Sequence, residues 1–97
     1  MENRGNWLLY QETVRRLTEK TIREEHLENV QHRSRQYHVD HLLSIREGFE
    51  QDVPPDLVAH ICNLRVVHAR DNLRKGQKSS LTFSELLEEI TERDSYF

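Results

Sequence analysis

From Trp7 onward the apolar residues Trp7, Tyr10, Val14 and Leu17 recur at spacings of three and four, and Thr21 continues the stripe. That period belongs to one face of an amphipathic helix over about 7–24, with Asn6 as its cap. The polar stretch 24–36 holds only Leu27 and Val30. They would either extend the helix or pin an irregular loop, and the loop is preferred. Tyr37, Val39 and Leu42 bound a short strand. Gly48 then marks a turn, and Pro54-Pro55 halts any regular element. Pro55 suits the first position of a short helix over 55–60, with Asp56 in its first turn. Leu64 to Val67 reads as a second strand, and Ala69 to Lys75 as a helix stopped by Gly76. Thr82 and Glu85 form a T-x-x-E capping box. Phe83, Leu86, Leu87 and Ile90 share one stripe behind it, so a terminal helix is expected over about 83–93.

Ninety-seven residues make one small domain, 1–97. A chain of this size buries only about two thirds of its extended surface, so its core is expected to be thin. With 35% hydrophobic and 32% charged residues the chain is polar, yet not so polar that disorder is expected throughout. No apolar run approaches the roughly 18 residues a membrane span needs. The stretch Met1 to Asn6 lacks the basic-then-apolar pattern of a secretion signal. Cys62 is the single cysteine, which fits a reducing compartment and reads as a small buried hydrophobe. A cytoplasmic location is therefore expected.

The formal net charge of −3 argues against a protein that coats nucleic acid indiscriminately. Its distribution is more informative. Arg65, Arg70, Arg74, Lys75 and Lys78 face one anion, Asp71, between 61 and 80. The tail from 81 onward is acidic. A phosphate backbone would be drawn to the first segment and repelled by the second.

That basic segment overlaps the chemically richest part of the chain. Asp40 and His41, a hard oxygen ligand and a titratable base, stand side by side at the end of the first expected strand. Asn63 and Asn72 follow, nine positions apart. On an extended backbone, adjacent side chains leave on opposite sides. His41 would thus face a water while Asp40 faces a cation. Hydrolysis of a phosphodiester needs an activated water, charge neutralisation at phosphorus and help for the leaving oxygen. A hard divalent cation with two protein oxygens and its own waters, plus one neutral imidazole, supplies these.

The order Asp-His, Asn, Asn over roughly 36–79 resembles the HNH family of metal-dependent nucleases, and the Asn63 to Asn72 interval equals that of the HNH domain in RNA-guided DNA nucleases. The resemblance implies an α+β fold: a small ββα-metal core with flanking N- and C-terminal helices. It implies His41 as general base, Asp40 and Asn72 as ligands of Mg²⁺ (or Mn²⁺), and Asn63 as the residue that bonds backbone across the long loop and orients the base. One cysteine rules out the paired CxxC motifs of many members, so no structural zinc is expected. Arg74 and Lys75 would contact phosphates near the cut, with Arg65, Arg70 and Lys78 as a wider docking surface. From their places on the strands, His38 and His68 would either touch substrate or metal or play a structural role behind the ligands, and the second is preferred. The connection from His41 to Asn63 is long for the family, which makes 44–55 an insertion-like loop of unassigned role.

Taken alone, an Asp-His pair or an Asn-Leu pair usually marks a turn, and only their ordered conjunction carries the resemblance. His26, His32 and His60 have no ligand spacing and are expected at the surface. Trp7, Tyr10 and Phe83 lie on helical stripes and are expected in the core. Phe49 alone is held open as a base-stacking residue, and Tyr96-Phe97 either fray or pack onto a partner. The expected activity is metal-dependent endonucleolytic cleavage of DNA. Zinc-free proteins this short look like those of bacteriophages, including homing-type endonucleases, which would place this one in a bacterial or phage-infected cell. Space for a separate DNA-reading module is lacking, which leaves low specificity, a homodimer or a larger parent chain. The rival expectation is a catalytically degenerate version of the fold that binds nucleic acid or protein.

Overall fold

In the computed structural model, residues 4–95 are described, with side-chain environments from residue 6. The elements run α1 (Arg4–Glu24), β1 (Tyr37–His41), α2 (Ile45–Glu50), α3 (Pro55–Val58), β2 (Leu64–His68), α4 (Ala69–Lys75) and α5 (Phe83–Asp94), with single 3-10 turns at Val30–His32 and Ile61–Asn63. The fold is α+β: helices around one two-stranded antiparallel sheet. β1 and β2 pair so that Asp40 lies opposite Arg65 and His41 opposite Leu64.

The core is where the helices meet the loops that follow β1. Val14 of α1, Leu43, Val53, Val58 and Leu86 of α5 are almost wholly excluded from solvent. Each completely buried aliphatic side chain contributes about 1.5–3 kcal/mol. α5 starts at Thr82 with both halves of the capping box formed: Thr82 Oγ1 accepts from the Glu85 amide, and Glu85 Oε1 accepts from the Thr82 amide. These bonds hold the Glu85 carboxyl below its usual range. α4 ends at Gly76, whose φ of 57° and ψ of −126° suit a residue without a Cβ.

Several expectations from the sequence are corrected by the structure. α1 begins at Arg4, so Asn6 lies within the helix instead of capping it. Gly48 is not in a turn. It is a buried residue of α2, a helix capped by Ser44 whose hydroxyl accepts from the Glu47 amide. A Cβ built on Gly48 would lie 2.7 Å from both the Tyr10 hydroxyl and Val58 Cγ2. Close approach of α1 and α3 is thus what requires glycine there, and the segment 44–55 is a packed helix and turn. Phe49 of that helix packs in tilted contact with Trp7 and Tyr10 at centroid distances of 5.3 and 5.4 Å, an aromatic cluster that gives it partners within the fold. Tyr10 is locked in place by donating to the Val53 carbonyl at 2.8 Å. Burial, with Asp52 nearby, pushes its phenol up to about 12. Cys62 is only half-buried, while His26 and His32 are exposed. His60 accepts from the Cys62 amide and shapes the turn before β2. Tyr96 and Phe97 lie outside the described residues.

Candidate active site

A cleft of about 450 Å³ opens between the inner face of α1, the end of β1, the start of α2 and the end of α4. Asp40, His41, Asn72 and Lys75 all line it. Strand geometry sends the two adjacent β1 side chains to different neighbours. Asp40 reaches toward Arg65 and Lys75, and His41 reaches α1.

Asp40 is 5% exposed and is held by two cations. Arg65 Nε donates to Oδ2 at 3.0 Å, from directly across the sheet. Lys75 Nζ donates to Oδ1 at 3.0 Å and to the His41 carbonyl at 2.7 Å. Lys75 is 11% exposed, so its ammonium belongs to the cleft wall. Charge-assisted bonds of this kind satisfy a buried carboxylate that would otherwise be costly.

His41 is the most perturbed histidine. Its Nε2 lies 2.9 Å from Thr18 Oγ1. Burial, opposed by Asp40 and reinforced by Lys75 and Arg15, pushes its imidazole down to about 4. The ring is therefore neutral at physiological pH.

The contacts of His38 set the orientation of Asn72. His38 Nε2 lies 3.1 Å from the Arg35 carbonyl, which only accepts, so that nitrogen carries the proton. In the neutral ring Nδ1 is then an acceptor, and the Asn72 amide nitrogen donates to it in a long 3.4 Å contact. Asn72 Oδ1 bonds no described residue. Among the described residues no buried side-chain nitrogen or oxygen lacks a partner, so this half-buried residue keeps its amide oxygen open to solvent.

Asn63 lies outside the cleft, completely buried. Its Oδ1 accepts from the Leu43 amide at 2.7 Å, and its Nδ2 donates to the carbonyls of Leu43 and Val58 at 3.0 and 2.8 Å. It ties the chain just after β1 to the end of α3. His68 caps α4, its Nδ1 accepting from the Arg70 amide at 3.0 Å.

Among the basic residues singled out from sequence, only Lys75 lines the cleft. Arg70, Arg74 and Lys78 are exposed beyond it, with Arg70 and Arg74 one turn apart on α4. Arg65 is spent on Asp40 and on Ser80. The cleft instead gains Arg15, Arg33 and Arg46. Arg33 forms a two-bond pair with Glu19, which holds the Glu19 carboxyl below its usual range. Arg46 stacks over Trp7 at 4.8 Å. Arg15 is exposed, and no hydrogen bond or ion pair to a described residue engages it. Gln11, Arg15 and Thr18 come from successive turns of α1, and that spacing was the available sign that the helix presents a polar face here.

Among the described residues, no group of three or more His, Cys, Asp or Glu side chains converges as a metal site, and no helix is long and apolar enough to cross a membrane. No protein family, curated protein or solved structure matches this chain.

Proposed function

We propose that the cleft binds a nucleic-acid backbone and hydrolyses its phosphodiester bonds with a hard divalent cation, Mg²⁺ or Mn²⁺, in the manner of the HNH nucleases the motif resembles. The observation that carries this reading is that Asp40, His41 and Asn72 all line one cleft edged by cations.

The donors suit such an ion. Asp40 offers a carboxylate and Asn72 an amide oxygen, both hard, and Mg²⁺ characteristically takes few protein ligands and keeps its waters. The Lys75 ammonium already rests between Asp40 Oδ1 and the His41 carbonyl, so this corner receives positive charge. Bound there, the cation would neutralise the phosphate and acidify a coordinated water.

The chain's own residues do the rest. His41, neutral and on the opposite side of the strand from Asp40, accepts the proton of the attacking water. Asn63 holds the backbone after β1, and with it the position of His41. His38 keeps the Asn72 amide turned so that its oxygen stays available. Arg15 takes a phosphate oxygen from the α1 side, and Arg70, Arg74 and Lys78 draw the backbone along α4. DNA is the substrate the resemblance favours, with 5′ phosphate and 3′ hydroxyl products.

The double ion pair of Asp40 favours a second reading. A carboxylate already saturated by Arg65 and Lys75 needs no metal, and the fold would then bind nucleic acid or protein without cutting. Supercoiled plasmid incubated with purified protein separates the two. Nicked or linear product that requires Mg²⁺ or Mn²⁺, disappears with chelator and is lost in His41→Ala while DNA binding persists supports hydrolysis. Binding without any cleavage, or cleavage that survives His41→Ala, overturns it.

A further inference from the structure

We infer that Thr18, on the helix preceding the motif, is a positioning residue that fixes His41 as the tautomer protonated on Nε2, leaving Nδ1 as the ring's basic atom. The tautomer assignment stands on hydrogen-bond geometry. Its catalytic consequence rests on the reading of His41 as the general base.

A threonine inside a helix commonly returns its hydroxyl proton to the carbonyl four residues earlier, and α1 does this three times. Thr13 donates to Leu9, Thr18 to Val14 and Thr21 to Leu17, at 2.7, 2.7 and 3.0 Å. Only Thr18 has a second partner, the side chain of His41, whose Nε2 lies 2.9 Å away. A hydroxyl has one proton and two lone pairs. The Val14 carbonyl can only accept, so the Thr18 proton is committed to it. Thr18 Oγ1 must therefore accept from His41, and Nε2 is the donor. A neutral imidazole has one N–H, so Nδ1 carries the lone pair.

That lone pair is open. No described residue bonds His41 Nδ1. Since no buried side-chain nitrogen among the described residues lacks a partner, Nδ1 keeps contact with solvent, on a ring that lines the cleft. Thr18 itself is 4% exposed. Water does not compete for its oxygen, and the bond fixes ring rotation together with protonation. Thr18 touches no reacting atom. It acts through His41.

The test uses the full chain labelled with ¹⁵N and free of metal. Long-range ¹H–¹⁵N correlations of the His41 ring at pH 7.5 are expected to show Nε2 protonated and Nδ1 unprotonated. Thr18→Val keeps the shape and removes the acceptor, so both ring nitrogens should move to averaged positions. Thr18→Ser should restore the parent pattern. A parent ring protonated on Nδ1, or a Thr18→Val ring with unchanged shifts, overturns the assignment; the parent spectrum alone decides it should Thr18→Val not fold. In plasmid cleavage at saturating DNA, Thr18→Val should slow turnover by roughly 10- to 100-fold, with KM little changed and Thr18→Ser restoring the rate. Expected shifts with parent-rate cleavage by Thr18→Val would overturn the positioning role. A parent protein that never cuts overturns the hydrolytic reading instead and leaves the tautomer to the spectrum.

Discussion

Lys75 and Asp40 stand 35 positions apart, yet the ammonium at the end of α4 lies 3.0 Å from a carboxylate oxygen near the end of β1. The same ammonium bonds the His41 carbonyl at 2.7 Å. The pair therefore stitches helix to strand at the corner where the proposed cation would sit, so a metal ion bound there would compete with Lys75 for one oxygen.

Removing the ammonium should favour the solvent cation. In Lys75→Met, Mn²⁺ is expected to bind about tenfold more tightly, equivalent to about 1.4 kcal/mol of released competition. The thermal midpoint without metal should fall, because Asp40 keeps only Arg65. Titration calorimetry with Mn²⁺ reads the first effect and calorimetric unfolding the second. Mn²⁺ binding that weakens in Lys75→Met would mean that Lys75 helps build the site instead of blocking it.

Gly48 carries the next expectation. In a helix interior, alanine normally outranks glycine by about 1 kcal/mol. Here the added Cβ would meet the Tyr10 hydroxyl and Val58 Cγ2 at 2.7 Å. Overpacking of this kind costs about 1–3 kcal/mol, so Gly48→Ala should lower the urea midpoint. The Tyr10 bond to the Val53 carbonyl should be disturbed with it. A Gly48→Ala protein more stable than its parent would show that α1 and α3 move apart freely.

Asn63 has no solvent to fall back on. Asn63→Ala leaves the Leu43 amide and the carbonyls of Leu43 and Val58 without their partners, at about 1–3 kcal/mol for each group that water cannot reach. The variant should unfold at markedly lower urea concentration, and cleavage should fall in the molecules that remain folded. Asn63→Asp should not rescue it, since a carboxylate cannot donate to two carbonyls. Parent stability in either variant would remove Asn63 from its bracing role.

These expectations differ in how far the sequence alone could have led to them. α4, α5 and β2 were legible because their signals are local: a capping box, a glycine stop and a run of β-branched residues after Leu64. α2 was not, because Gly48 reads as a turn unless the packing of Tyr10 and Val58 is known. The bracing by Asn63 has no local signal and is implied only by the family resemblance, and a Ser44 cap is legible only if 44–55 is read as helical. Thr18 and Arg15 escaped notice because what sets them apart is a partner 23 residues downstream and a cleft that only tertiary packing creates. The same packing withdraws Lys75 from solvent, although its place in a basic run suggested a free cation.

The pH dependence of stability follows from His41. In the unfolded chain this imidazole titrates near 6.5, whereas burial in the folded protein, opposed by Asp40, holds it down to about 4. Between these values the unfolded state binds more protons than the folded one. Stability from this group is thus complete above about pH 6.5, falls as the pH drops through that window and levels off below about 4. By pH 5 the loss amounts to at most about 2 kcal/mol. Urea unfolding at pH 7.5 and pH 5.0 should show that difference in the parent and a smaller one in His41→Gln, which keeps a polar side chain but cannot titrate. An equal loss in both proteins would assign the acid sensitivity to other groups and would mean that the folded ring titrates near its ordinary value.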